Sequence, residues 1–249
     1  MGSEEYYAGR LMESNPFLHR KLVSILGYDD IFVDGSTGTK TDIIAVKNEV
    51  VHHNSIKNAS GKNTQVHLTT LSKIAEVLSM PESIKNTLNM WLGTPDSNLF
   101  ATWIENKNIS SYEKNHNRLC SGNLENWQEV EDWFNKISSN QTLPKLLIQG
   151  LNVENPIKYL IWVNKKTKSF QVVDVNKLIE WIANDCNWIT MPDQTVLRCV
   201  TPDYKPILWL QMKGNKDKKK GGYNHAPQFH IVENWPKEFI VHEGSIVFN

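Results

Sequence analysis

Apolar residues recur at helical spacing in several segments of the chain. Pro16 opens one such segment and Gly27 follows its last apolar residue, which is typical of the two ends of a helix. Leu124, Trp127 and Val130 begin the clearest stripe. The same criteria predict helices at 4–13, 16–26, 64–78, 81–92, 124–138 and 175–185.

Short runs rich in β-branched and aromatic residues, bounded by turn residues, predict strands between these helices. Runs at 42–46 and 50–57 are joined by three polar residues, so we predict an antiparallel hairpin there. Further strands are predicted at 31–33, 145–151, 157–164, 168–174, 194–200, 206–213, 227–232, 239–241 and 246–248.

The order of the elements predicts one α/β domain over residues 1–249, with helices at the N-terminal side of a mixed β-sheet. Residues 96–122 are polar and rich in Asn, and we predict an excursion from the core there.

Charge and composition limit the kinds of binding and structural chemistry that this protein can have. Twenty-seven Lys and Arg balance 27 Asp and Glu, so any contact with nucleic acid must come from a local basic patch. A hydrophobic share of 40% with nine Trp provides a sizeable core. Cys120, Cys186 and Cys199 are widely spaced, which argues against a disulfide framework and against a thiolate zinc site.

The chain contains no apolar run of the roughly 20 residues that a membrane-spanning helix needs. Its first ten residues include Glu4 and Glu5 and no hydrophobic stretch, which is unlike a signal or transit peptide. We therefore expect a soluble cytoplasmic protein with no membrane partner.

The predicted hairpin at 42–57 carries the residues with chemical potential. Side chains alternate across a strand, so His53, Ser55 and Lys57 share one face while Ile56 points into the core. Asp42 begins the partner strand. A carboxylate, a hydroxyl and an ammonium can then meet at one end of the hairpin, as phosphodiester hydrolysis with Mg²⁺ requires.

An aspartate followed by Ser55-Ile56-Lys57 across a hairpin resembles the PD-(D/E)xK nuclease superfamily, whose middle acid is Asn, Gln or Ser in some members. Residues 38–66 look like type II restriction endonucleases that cut short palindromes, and 207–231 does so more weakly. The resemblance implies a restriction-endonuclease-like fold, a prokaryotic or phage origin, Mg²⁺ as cofactor, Asp42 as metal ligand, and Asp42, Ser55 and Lys57 as catalytic residues.

Two positions depart from the superfamily pattern. Thr41 stands in the place of the proline, and Ser55 stands where Glu is usual. A serine is a weaker Mg²⁺ ligand than a carboxylate, so the number of metal ions stays open. A glutamate from the N-terminal segment is a possible further ligand: Glu4, Glu5 or Glu13.

Other interpretations of the same residues stay open. Asp42 could cap a turn, with Ser55 and Lys57 on a solvated strand face. His52 and His53 are adjacent on a strand and point to opposite faces, so they do not favour one shared metal ion or an HNH site.

Two polar stretches are candidates for DNA contact. The first leads from the hairpin into the predicted helix at 64–78 and suits phosphates or base edges; it contains Asn58, Lys62, Asn63, Thr64 and Gln65. The second is the densest cluster of lysines, with the polar residues after it: Lys213, Lys216, Lys218, Lys219, Lys220, Asn224, His225 and Gln228. An ordinary capping loop and a solvated loop are the alternatives.

The leading hypothesis is a sequence-specific type II restriction endonuclease that hydrolyses double-stranded DNA with Mg²⁺ and leaves 5′-phosphate ends. A phage, mobile-element or repair nicking endonuclease of the same fold is the second, and a non-catalytic DNA-binding protein is the third. The sequence leaves open the recognition site, the cleavage position and the choice between monomer and homodimer.

Overall fold

The computed structural model describes residues 16–33, 42–59, 62–68, 71–92, 124–150, 155–164, 166–191, 196–213 and 226–245. The predicted helix at 4–13, the excursion at 96–122 and the strand at 246–248 lie outside these residues. In the described part of the chain, no helix is long and apolar enough to cross a membrane.

The described residues form helices, strands and one short 3-10 helix. The helices are α1 (Pro16–Leu26), α2 (Leu71–Val77), α3 (Glu82–Leu92), α4 (Leu124–Ser139), α5 (Thr142–Gln149), α6 (Val175–Asp185) and the 3-10 helix Lys237–Phe239. The strands are β1 (Asp30–Val33), β2 (Ile43–Lys47), β3 (Val50–Ala59), β4 (Asn63–Leu68), β5 (Ile157–Asn164), β6 (Ser169–Asp174), β7 (Asn187–Met191), β8 (Val196–Val200), β9 (Pro206–Lys213), β10 (Ala226–Val232) and β11 (Ile240–Ser245).

Six strands form a mixed sheet in the order β1-β2-β3-β5-β6-β11. The pairing of β3 with β5 is parallel, while the other neighbours run antiparallel. A parallel pair requires a crossover connection, and here the connection contains β4 and helices α2 to α5. The predicted mixed α/β architecture is confirmed.

Each face of the mixed sheet has its own composition. One face buries a hydrophobic cluster that Leu22 of α1 joins, together with Ile43, Ala45, Ile56, Ile161 and Phe170. Because side chains alternate along a strand, the residues between these core positions are presented on the opposite face. Ser55 and Lys57 of β3 lie there, next to a fully buried core residue, Ile56.

Five further strands form a second sheet in the order β4-β10-β9-β8-β7. Its pairs β10–β9, β9–β8 and β8–β7 are antiparallel. Trp188 of β7 is buried against Phe134 of α4 at a ring distance of 5.1 Å and against Phe229 of β10 at 6.4 Å. The core of this sheet is therefore aromatic.

The chain divides into two compact units, each built from several segments. The mixed sheet belongs to the unit that comprises Met1–Thr64, Pro144–Asn184 and Val232–Asn249, and the other unit comprises Gln65–Leu143 and Asp185–Ile231. The expectation of a single domain stays a prediction.

Three local predictions are wrong. Residues 64–78 do not form one helix, because β4 occupies Asn63–Leu68 and pairs with β10 before α2 begins. The strand predicted at 145–151 is wrong over residues 145–149, which lie in helix α5, and periodicity alone does not separate these two states in so short a run. The hairpin connection has two residues, Asn48 and Glu49, both with positive φ.

Candidate active site

The β2–β3 hairpin places Asp42 opposite Ser55. Ile43 pairs with Asn54 in the strand register, and the Asp42 amide donates to the Asn54 carbonyl at 3.0 Å. The connection of two residues fixes this register, since φ is 48° at Asn48 and 65° at Glu49, as a type I′ turn requires. The two candidate catalytic positions are thus brought together by local chain geometry.

The Asp42 carboxylate is held by two hydrogen bonds to one oxygen. Its Oδ2 accepts from the Ser55 hydroxyl at 2.8 Å and from the Ile56 amide at 2.7 Å. Asp42 is 6% exposed and Ser55 is 1% exposed. A buried carboxylate with two donors on the same oxygen has a fixed orientation.

Lys57 lies two residues beyond Ser55 on the same face of β3. Its side chain is only 4% exposed, which is unusual because lysine is almost never fully buried unless it is paired. The alternative interpretation, in which Ser55 and Lys57 lie on a solvated strand face, is therefore wrong. Asp42, Ser55 and Lys57 form a buried polar group at one face of the mixed sheet.

The parallel pairing of β3 with β5 places Trp162, which the sequence did not single out, beside Lys57. Lys57 pairs with Trp162, so the Trp162 side chain lies on the Lys57 face. The Trp162 indole Nε1 donates to Glu233 Oε2 at 2.9 Å, and the Asn164 amide approaches the same oxygen at 3.5 Å. Glu233 is far away in sequence, and no local motif marks it.

The histidines take opposite faces, as predicted. His52 lies on the core side, where its ring is 5.5 Å from the ring of Tyr28, and His53 pairs with Ile44 on the Ser55 face. Burial lowers the pKa of His52, with a smaller effect from Lys158. Burial also raises the pKa of Tyr28 to about 12, so the phenol stays protonated.

The carboxylate at the site has the oxygen-donor chemistry that Mg²⁺ prefers. Among the described residues, no three or more His, Cys, Asp or Glu side chains cluster as they would in an all-protein metal cage. Mg²⁺ is usually held by one or two carboxylates together with water and substrate phosphate, so Asp42 with the Ser55 hydroxyl matches that donor chemistry. The three N-terminal glutamates considered as further ligands lie outside the described residues.

The first predicted DNA-contact stretch lies before a strand and not before a helix. Lys62 and Asn63 are exposed, Asn58 is half-buried, and the Thr64 hydroxyl donates to the Asn58 carbonyl at 3.4 Å. The expected helix N-terminus is absent here because β4 begins at Asn63. Phosphate binding by helix amides is therefore not available at these residues.

Most of the second stretch is not described by the structure. The residues at its centre, Lys216, Lys218, Lys219, Lys220, Asn224 and His225, lie outside the described ranges, as does the side chain of Lys213. Gln228 is described: it is 8% exposed, and its amide donates to Gln65. The structure thus joins one residue from each predicted stretch.

Comparisons with known proteins give a likeness in structure. No family model matches the chain. No curated protein matches it either. The chain is similar in fold to the restriction endonuclease MspI, solved in complex with its cognate DNA, at 10% sequence identity and a TM-score of 0.43 over 89% of this chain and 83% of that one. A likeness at this level assigns no role to any residue.

Proposed function

We propose that this protein is a Mg²⁺-dependent endonuclease that hydrolyses both strands of duplex DNA within a short sequence and leaves 5′-phosphate ends. The observation that supports this proposal is the buried group in which Asp42 holds the Ser55 hydroxyl while Lys57 occupies the same strand face. Desolvating a carboxylate and an ammonium costs free energy that pairing often does not recover, so stability alone is a weak reason to bury such a group.

Asp42 is the proposed metal ligand. Two donors fix its Oδ2, and the oriented carboxylate would hold the ion. When bound, Mg²⁺ polarises a phosphoryl oxygen and makes a bound water more acidic.

Ser55 and Lys57 have different proposed roles. The Ser55 hydroxyl donates to Asp42, so it keeps the carboxylate in one orientation. The Lys57 ammonium would orient the attacking water and offset the charge that develops on the phosphorus. A buried ammonium is effective in this role because water screens its field less than it does at an exposed site.

A plasmid assay tests the proposal. Supercoiled DNA is incubated with the protein in Mg²⁺ or in EDTA, alongside Lys57→Ala and the control Lys177→Ala, which removes an exposed lysine from α6. The proposal expects discrete fragments from the wild type and the control in Mg²⁺ only, and none from Lys57→Ala.

Each other result points to another function. Nicked circles without fragments would favour a nicking or repair endonuclease. Binding without any cleavage would favour a non-catalytic DNA-binding protein. Equal cleavage by Lys57→Ala and by Lys177→Ala would refute the assigned site.

A further inference from the structure

One face of the second sheet carries a row of amide and aromatic side chains. Gln211 pairs with Gln228, and Trp209 pairs with His230, in the β9–β10 register. Alternate residues of a strand share a face, so Trp209, Gln211, Gln228 and His230 all lie on the side away from the aromatic core formed by Trp188, Phe229 and α4. Gln65 of β4 joins this group through its hydrogen bond with Gln228. We call Gln65, Gln211, Gln228 and His230 the glutamine row.

The glutamine row is joined by hydrogen bonds that run in one direction. The Gln211 amide nitrogen donates to Gln228 Oε1 at 3.5 Å, and the Gln228 amide nitrogen donates to Gln65 Oε1. The same Gln211 nitrogen lies 2.9 Å from His230 Nε2. Gln228, at 8% exposure, is the buried connector, and the amides on either side of it have defined orientations.

The direction of the row decides which atoms stand at its two ends. The Gln211 amide nitrogen makes both contacts described above, so Gln211 Oε1 is the acceptor at one end of the row. The Gln65 amide oxygen accepts from Gln228, so Gln65 Nε2 is the donor at the other end. Gln65 and Gln211 are both half-buried, so each side chain keeps part of its surface accessible.

His230 lies at the Gln211 end of the row and orients the Gln211 amide. Burial lowers the pKa of His230, which favours the neutral ring at neutral pH. A neutral ring that accepts from Gln211 through Nε2 carries its own proton on Nδ1. The ring is held parallel to Trp209 at 5.2 Å and 22°, so it is a rigid acceptor for the Gln211 nitrogen.

We propose that the glutamine row reads base edges of duplex DNA, with Gln211 Oε1 and Gln65 Nε2 as the contact atoms and Gln228 as their positioning residue. This inference rests on the proposed function for its substrate. Gln211 Oε1 would accept from the exocyclic amino group of adenine or cytosine, and Gln65 Nε2 would donate to a base carbonyl or a purine N7.

Chemical complementarity and preorganisation favour DNA as the occupant. The row ends in an amide acceptor on Gln211 and an amide donor on Gln65. Amide acceptors and donors match the hydrogen-bonding groups that base edges present in the major groove. The hydrogen bonds along the row fix the amides before binding, which lowers the entropy cost of recognition.

A binding selection tests the inference without requiring cleavage. Random-sequence duplexes are selected on the wild-type protein in EDTA, and on Gln211→Leu, Gln65→Leu and the control Gln128→Leu. Gln128 is an exposed glutamine of α4 whose amide donates to Asp132. Circular dichroism and unfolding midpoints establish that each variant is folded, and using two separate row variants covers the failure of one to fold.

The wild type and Gln128→Leu are expected to enrich one short sequence. Each row variant should lose the preference at one or two base pairs by about 10- to 100-fold, with affinity for random duplex unchanged within about twofold. The inference is overturned if folded row variants enrich the wild-type sequence undiminished, or if the wild type enriches none. Enrichment without plasmid cleavage would refute the nuclease and keep the glutamine row, and cleavage with unchanged enrichment would do the reverse.

Discussion

Replacing Asp42 separates its structural role from its proposed catalytic one. Asp42→Asn keeps an oxygen that can accept from the Ser55 hydroxyl and the Ile56 amide, which now approach Oδ2 at 2.8 and 2.7 Å. It removes the negative charge that would hold Mg²⁺. Asp42→Ala removes the acceptor as well, so the two variants differ in stability but should agree in activity.

The structure sets the expected magnitudes. A hydrogen bond to a charged group contributes about 1.5–3 kcal/mol and a neutral one about 0.5–1.5 kcal/mol, so two bonds make Asp42→Asn less stable by roughly 2–3 kcal/mol. Asp42→Ala also leaves the buried Ile56 amide without an acceptor, for a total of roughly 3–6 kcal/mol. Loss of metal-dependent stabilisation worth several kcal/mol lowers the cleavage rate by about three orders of magnitude or more in both variants.

Urea unfolding and plasmid cleavage measure the two effects on the same preparations. The matched control is Asp174→Ala, because Asp174 Oδ1 also accepts two backbone amides, those of Asn176 at 3.0 Å and Lys177 at 3.2 Å, at the start of α6. That variant should lose about 1 kcal/mol and keep its cleavage rate. Cleavage by folded Asp42→Ala at the rate of the Asp174→Ala control would refute the reasoning.

Four further outcomes are expected. Lys57→Ala should lose cleavage by orders of magnitude while binding to duplex DNA in EDTA is kept; equal losses of both would make Lys57 a binding residue. Glu49→Gly should raise the unfolding free energy by about 0.5–1 kcal/mol, because φ is 65° there and a β-carbon is strained at that angle; a loss would contradict the turn geometry. The pKa of His230 is lowered in the folded state, so the unfolded state binds more protons and stability falls as the pH drops below about 6.5; His230→Gln should flatten that decline, and an unchanged pH profile would contradict it. The slope of log K against log salt for DNA binding should become shallower by up to roughly three units when three lysines are replaced together by Ala, namely Lys218, Lys219 and Lys220. An unchanged slope would show that these lysines do not touch phosphate.

Local sequence was sufficient to predict the hairpin and the meeting of Asp42 with Ser55. The alternation of side chains and a short polar connection both act over fewer than about 20 residues, and they fix the register between the two strands. The helix boundaries at Pro16 and Gly27 are local in the same sense, and α1 begins and ends where they predict. The burial of Lys57 was not predictable, since it depends on what covers the strand face.

Pairing between distant segments was decided by tertiary structure alone. The apolar residues at 64–78 fit helical spacing, but β10 offers β4 a partner whose sequence lies more than 150 residues away. The bond between Gln228 and Gln65 spans 163 residues, and Trp162 reaches the Lys57 face through a parallel pairing that no hairpin motif encodes. The sequence by itself therefore determined the composition of the candidate site, because its parts are local. Only the folded chain decided which distant strands adjoin it, because backbone hydrogen bonding between strands is insensitive to side-chain identity and is selected by packing of the whole core.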